Sequence, residues 1–175
     1  RTRDLNQALS DVTLLKEMQE GDYLLMSLLV RPLVVSDCRT TNISARFLMQ
    51  QKKTYSFRGK EGDIGGDFCL LTTLQFSGHK GDWLFFFNGD AMGKSSQGAS
   101  GALICGVTLH SILGRNARGQ EITSEPQQYL YRIYKELNQI FGLFDGSMLM
   151  SAAFGLVHSA TGTVYYMNCE HPWSI

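Results

Sequence analysis

Two apolar runs, residues 67–76 and 82–90, are split by Ser77-Gly78-His79-Lys80-Gly81, and no other stretch constrains the fold as tightly. Both runs are rich in β-branched and aromatic residues, which predicts a β-hairpin. Glycine favours the first position of a two-residue type II′ turn, placing the turn at Gly78-His79. Leu70 then opposes Phe87, Thr72 opposes Phe85 and Leu74 opposes Trp83. These pairs build a largely apolar face that a slip of one residue would destroy. The same register sets Asp67 opposite Asp90.

Two carboxylates at that separation repel, so a shared proton, basic partners or cations must offset them. Hard divalent ions such as Mg²⁺ and Mn²⁺ take oxygen ligands and bind through few protein carboxylates. Gly65, Gly66, Gly89 and Gly93 surround the pair and would let backbone carbonyls and a bulky anion approach. A metal site that binds phosphate is one reading; two water-exposed aspartates at a loop edge are the other.

The rest of the chain reads as helices and further strands. Residues 4–20 predict a helix with a stripe of Leu5, Ala8, Val12 and Leu15, continuing through Tyr23–Leu29 and stopping before Pro32. That stripe packs on its own domain or ends a coiled coil from an upstream region. Residues 36–42 read as a polar connector, 43–50 and 53–58 as strands, and 59–66 as a flexible turn or bulge. A helix follows, capped by Ser95 or Ser96, with Ala99, Leu103, Val107, His110 and Leu113 on one face and Gly114 at its end. A loop covers 114–123. Ser124 reads as the cap of the next helix, with Pro126 in its first turn and Leu130, Ile133, Leu137 and Ile140 on its inner face. Strands at 147–158 and 163–169 flank the turn Ser159-Ala160-Thr161-Gly162. This order argues for an α+β sandwich and against a parallel doubly wound sheet.

Composition removes several functions. Lys+Arg and Asp+Glu both total 16, so no net field attracts nucleic acid. The longest apolar run, Tyr23–Val35, contains Ser27, Arg31 and Pro32 and falls short of the roughly 20 residues of a membrane span. Cys38, Cys69, Cys105 and Cys169 form no CxxC pair and read as reduced thiols, which points to the cytoplasm. The four histidines lack zinc-ligand spacing. Two motifs mislead. Gly89 and Gly93 are too close for a P-loop, and Asp90 would face the phosphates there. Gly65-Gly66-Asp67-Phe68 lacks the second acid of a GGDEF cyclase. A nucleotide-handling enzyme is therefore the weakest of three readings.

Gly65-Gly66-Asp67-Phe68, then Gly89-Asp90-Ala91-Met92-Gly93-Lys94 opening a helix, then Glu170-His171-Pro172 after a late strand, resembles the SpoIIE/RsbU branch of PPM-type protein phosphatases. With Ser95 and Trp173 the pattern is similar to a bacterial, spirochaetal subgroup. The resemblance covers residues 45–173 and implies an αββα sandwich of two antiparallel sheets flanked by helices. It divides the chain into a helical lead-in at 1–35 and the phosphatase domain at 36–175. It implies hydrolysis of phosphoserine or phosphothreonine on a STAS-type anti-sigma-factor antagonist, with two Mn²⁺ or Mg²⁺ ions activating water. By motif match, Asp67 and Asp90 are carboxylate ligands and Ala91 offers a backbone carbonyl. His171 reads as structural, with a role beside the metal or phosphate as the alternative; Lys94 reads as solvated, with phosphate attraction as the alternative.

The family's later ligand aspartates have no counterpart, since no Asp follows Asp145. The expectation is a domain incomplete at its C-terminus, binding metal weakly and nearly inactive as a fragment, cut from a longer protein whose upstream segments provide any membrane anchor. The competing function is a catalytically dead module of the same fold that binds a partner or forms a homodimer through residues 5–18.

Overall fold

The antiparallel hairpin forms in the expected register. In the computed structural model, which describes residues 2–40, 42–115 and 121–172, β3 (Asp67–Leu74) pairs with β4 (Trp83–Ala91), setting Leu70 against Phe87, Thr72 against Phe85, Leu74 against Trp83 and Asp67 against Asp90. The turn differs from the two-residue II′ expectation. Phe76 is drawn out of the hairpin into a parallel bridge with Ile122 and is buried. The chain reverses at Ser77-Gly78, where His79 N–H donates to the Phe76 carbonyl at 3.2 Å and Gly78 has φ 80°, as the third residue of a type II turn requires.

β4 continues the sheet to β5 (Met150–His158), and β5 to β6 (Val164–Cys169), giving the order β3-β4-β5-β6. A separate hairpin joins β1 (Lys53–Phe57) to β2 (Lys60–Ile64). Its loop is Arg58-Gly59, both at positive φ, so the glycine-rich stretch read as a flexible turn contains a strand. The segment 43–50, read as a strand, is extended with alternating burial but joins no ladder. Its periodicity reflects one covered side, not a strand partner. The chain is thus α+β, with two antiparallel sheets and three α-helices among the described residues.

One sheet face carries Leu70, Leu74, Trp83, Phe85, Phe87, Phe154 and Leu156 and packs on α2 (Ser96–Gly114) and α3 (Pro126–Gly142). In α3, Leu130, Ile133 and Leu137 face inward as expected, but the cap position belongs to Glu125 and Ser124 makes no cap. In α2 the buried face is Gly98, Ala102, Cys105, Leu109 and Ile112, joined by Ala99 and Leu113. Val107, expected inside, is 53 % exposed. Small residues define the true face because the helix lies close to the sheet, and a reading based on large apolar residues passes over them. Ser95 precedes α2 at φ 51° without a side-chain cap bond, which corrects its expected role. Residues 116–120 of the expected 114–123 loop lie outside the described residues.

α1 (Thr2–Val30) is one continuous helix, with a short 3₁₀ turn at Arg31–Leu33. Its last third packs on β1, β2 and the start of α2 through Tyr23, which is buried with Tyr55, Ile64 and Ala99. Residues 3–19 are exposed throughout, including Leu5, Leu9, Val12, Leu15 and Met18. The stripe does not pack on its own domain.

The α2 assignment has a direct check in denaturant unfolding. Leu109→Ala should cost about 2–5 kcal/mol, whereas Val107→Ala should stay within about 0.5 kcal/mol.

Candidate functional site

Side chains alternate across a pleated sheet, so Asp67, Cys69 and Leu71 of β3 share the face away from α2 and α3 with Asp90, Asn88 and Phe86 of β4. The Ala91 N–H donates to the Gly66 carbonyl at 3.0 Å. Hydrogen-bonded and non-bonded pairs alternate along an antiparallel ladder, so Asp67 and Asp90 form a non-bonded pair, the kind whose Cα atoms approach to about 4.5 Å. β5 adds Ser151 beside Asp90. One cleft of about 350 Å³ is lined by Asp67, Asp90, Asn88, Ser151, His171 and, from the extended segment, Leu48–Gln50.

His171 reaches back over the sheet after β6. Its Nδ1 lies 3.0 Å from Ser151 Oγ, its Nε2 lies 3.1 Å from Asn88 Nδ2, and its backbone N–H donates to Asn168 Oδ1. The Cys69 thiol donates to Asn88 Oδ1 at 3.3 Å, which turns the amide nitrogen toward the ring. Nε2 then accepts from Asn88, and Nδ1 donates to the serine. A four-residue chain therefore holds the imidazole at the rim of the cleft.

Burial pushes the Asp67 carboxyl above the usual carboxylate range, the Asp90 charge adds to this, and the nearby His171 partly opposes it. Burial, then the Asp67 charge, likewise raises the Cys69 thiol. A reactive thiolate is disfavoured there.

The donor chemistry suits a hard cation. A Cβ built on Gly66 would lie 2.1 Å from the Ala91 carbonyl oxygen and 2.9 Å from Asp90 Oδ1. Both oxygens therefore border the space that glycine leaves open, one residue from Asp67. Two carboxylates and a carbonyl are the ligand types that Mg²⁺ and Mn²⁺ prefer. No group of three or more His, Cys, Asp or Glu side chains placed to hold a metal occurs among the described residues. Lys94 is exposed in the turn between β4 and α2. Trp173 lies outside the described residues.

The structure thus brings together Asp67, Asp90 and Ala91 and adds His171 to the same cleft. Asn88 and Ser151 were not anticipated. Asn88 was within reach, since it lies two residues before Asp90 on the same strand face; Ser151 required the β4–β5 register, for which the sequence carries no turn signal.

Residues 80–175, more than half of the chain, match the family model described as Stage II sporulation protein E (SpoIIE). No curated protein sequence matches the chain.

The raised Asp67 carboxyl has a signed consequence for the cation-free protein. Below the unfolded-state value the group is protonated in both states and exerts no penalty. As pH rises toward the higher folded-state value the penalty sets in, and above that value it is complete. Asp67→Asn should therefore raise the melting temperature of cation-free protein at pH 7 and leave it unchanged near pH 3; equal shifts at both pH values would refute this.

Proposed function

Because the chain belongs to the SpoIIE family of PPM-type phosphatases, we propose that it is a metal-dependent protein serine/threonine phosphatase domain acting on a phosphorylated STAS-type regulatory protein. The observation that carries this reading is the register pairing of Asp67 with Asp90, with the Ala91 carbonyl oxygen beside them at Gly66. These three residues would hold Mn²⁺ or Mg²⁺. Divalent ions at such a site act as Lewis acids on phosphoryl oxygens and lower the pKa of water.

The protein's own groups supply the rest. The two carboxylates would supply the negative charge that holds a divalent cation beside a phosphate dianion. The cleft is open, with Leu48–Gln50 as one wall, so it admits a side chain presented by a folded partner. His171, fixed by Asn88 and Ser151, orders the rim opposite the carboxylates. All four cysteines are free, which supports a reducing compartment and a cytoplasmic location. No described helix is long and apolar enough to cross a membrane.

A second reading rests on α1. Its exposed Leu5, Ala8, Val12 and Leu15 recur at spacings of three and four, the pattern of a helix that pairs with a second copy. In that reading the chain is a catalytically dead module of phosphatase fold that binds a partner or forms a homodimer.

Mn²⁺-dependent release of phosphate from a phosphoserine peptide, measured on the full-length protein, separates the two. The enzyme reading expects turnover that falls at least about 100-fold in both Asp67→Asn and Asp90→Asn, a larger loss than the 10–100-fold typical of residues that only support a ligand. Absence of any Mn²⁺-dependent turnover would leave the module. Sedimentation equilibrium should then show a dimer that Val12→Lys dissociates.

A further inference from the structure

β3 is an edge strand of its sheet, and Asp67 is its first residue. Because Asp67 forms a non-bonded pair with Asp90, its own N–H and carbonyl point away from β4, toward the open edge. The same geometry recurs two pairs along, where the outward groups of Leu71 meet Val35 and Asp37: Leu71 N–H donates to the Val35 carbonyl at 2.7 Å and Asp37 N–H donates to the Leu71 carbonyl at 3.0 Å. At Asp67 no strand supplies these partners. A side chain does. Gln51 Nε2 donates to the Asp67 carbonyl at 2.8 Å, and Asp67 N–H donates to Gln51 Oε1 at 3.4 Å.

The Gln51 carboxamide therefore stands in for a neighbouring strand's peptide group, satisfying both backbone groups of Asp67 at once. Two features hold it there. The Gln51 N–H donates to Asp63 Oδ2 at 3.3 Å, tying its backbone to β2. Gly65 makes room, because a Cβ on Gly65 would lie 2.1 Å from Gln51 Oε1. Gly65 is not among the glycines at positive φ, so the space, not the backbone angle, is what glycine provides.

We infer that Gln51 is a positioning residue for Asp67: its side-chain amide fixes the backbone from which that carboxylate projects toward the cation. The inference rests on the reading of Asp67 as a cation ligand. An edge residue held from one side only can rotate its peptide planes, and its carboxylate would move with them. Held by Gln51 as well as by the strand, Asp67 keeps its side chain on the cleft it shares with Asp90 before any ion arrives. Groups that orient a ligand without touching the ion typically change its affinity by 10–100-fold when lost.

The test is a Mn²⁺ titration of the whole protein, read from the electron paramagnetic resonance signal of the free ion, with melting curves of each variant in chelator. Gln51→Glu keeps the size and the acceptor but cannot donate to the Asp67 carbonyl. Gly65→Ala leaves Gln51 intact and displaces its amide. Each should weaken Mn²⁺ binding about 10-fold, and the double variant should be no weaker than either alone, since both remove one bridge. A merely space-filling Gln51 would leave Gln51→Glu with native affinity. That result overturns the inference, as does an additive loss in the double variant or a loss that tracks the fall in melting temperature. Asp67→Asn separates the two levels of the argument. If it abolishes Mn²⁺ binding while Gln51→Glu binds Mn²⁺ with native affinity, the positioning role alone fails. If Asp67→Asn binds Mn²⁺ like the native protein, the cation reading of the site fails and the inference goes with it.

Discussion

The pairing of β3 with β4 forces two like charges together, and the rest of the structure is arranged around that constraint. The opposing energies are unequal. Unit charges about 4 Å apart repel by about 1 kcal/mol in water and about 4 kcal/mol at an effective dielectric of 20. The register that imposes this repulsion also buries Leu70, Leu74, Trp83, Phe85 and Phe87 against two helices, and each such side chain contributes about 1.5–3 kcal/mol on burial. The apolar face decides the register and the aspartates have to accept it. Their repulsion makes the pair receptive to a cation, because an ion placed there relieves a cost the fold already carries.

The precision of the site comes from absent atoms as much as from present ones. Gly66 leaves space for the Ala91 carbonyl and the Asp90 carboxylate, and Gly65 leaves space for the Gln51 amide. The start of α2 presses on the same place: a Cβ on Gly98 would lie 2.9 Å from the Gly93 carbonyl oxygen and 3.0 Å from the Gly66 nitrogen. Backbone meets backbone there with no side chain between them. Such contacts cannot be adjusted by a rotamer change, so strand ends and helix start are held as one unit.

The sequence was legible where a period carried the information. The alternation in β3 and β4 gave the strand register, and with it the Asp67–Asp90 pair and the sheet face on which it lies. The i, i+3, i+4 pattern gave α3. It was illegible where structure depends on small residues or long-range partners. The Gly98, Ala102 and Cys105 face of α2 has little bulk to betray it. The segment 43–50 alternates like a strand but finds no ladder. Phe76 leaves its hairpin because Ile122, 46 residues later, offers a bridge. Gln51 could not be found at all from the sequence, since a glutamine in a coil has no local signature and its role exists only because an edge strand passes by.

The outer side of β6 closes the four-stranded sheet at its other end, and Val164, Tyr165 and Tyr166 are all substantially exposed there. Among the described residues no strand pairs with that side, and an edge flanked by apolar side chains is the template another extended chain needs. An extended segment laid along this strand would enlarge the sheet by backbone pairing alone, with the tyrosines as its flanking contacts.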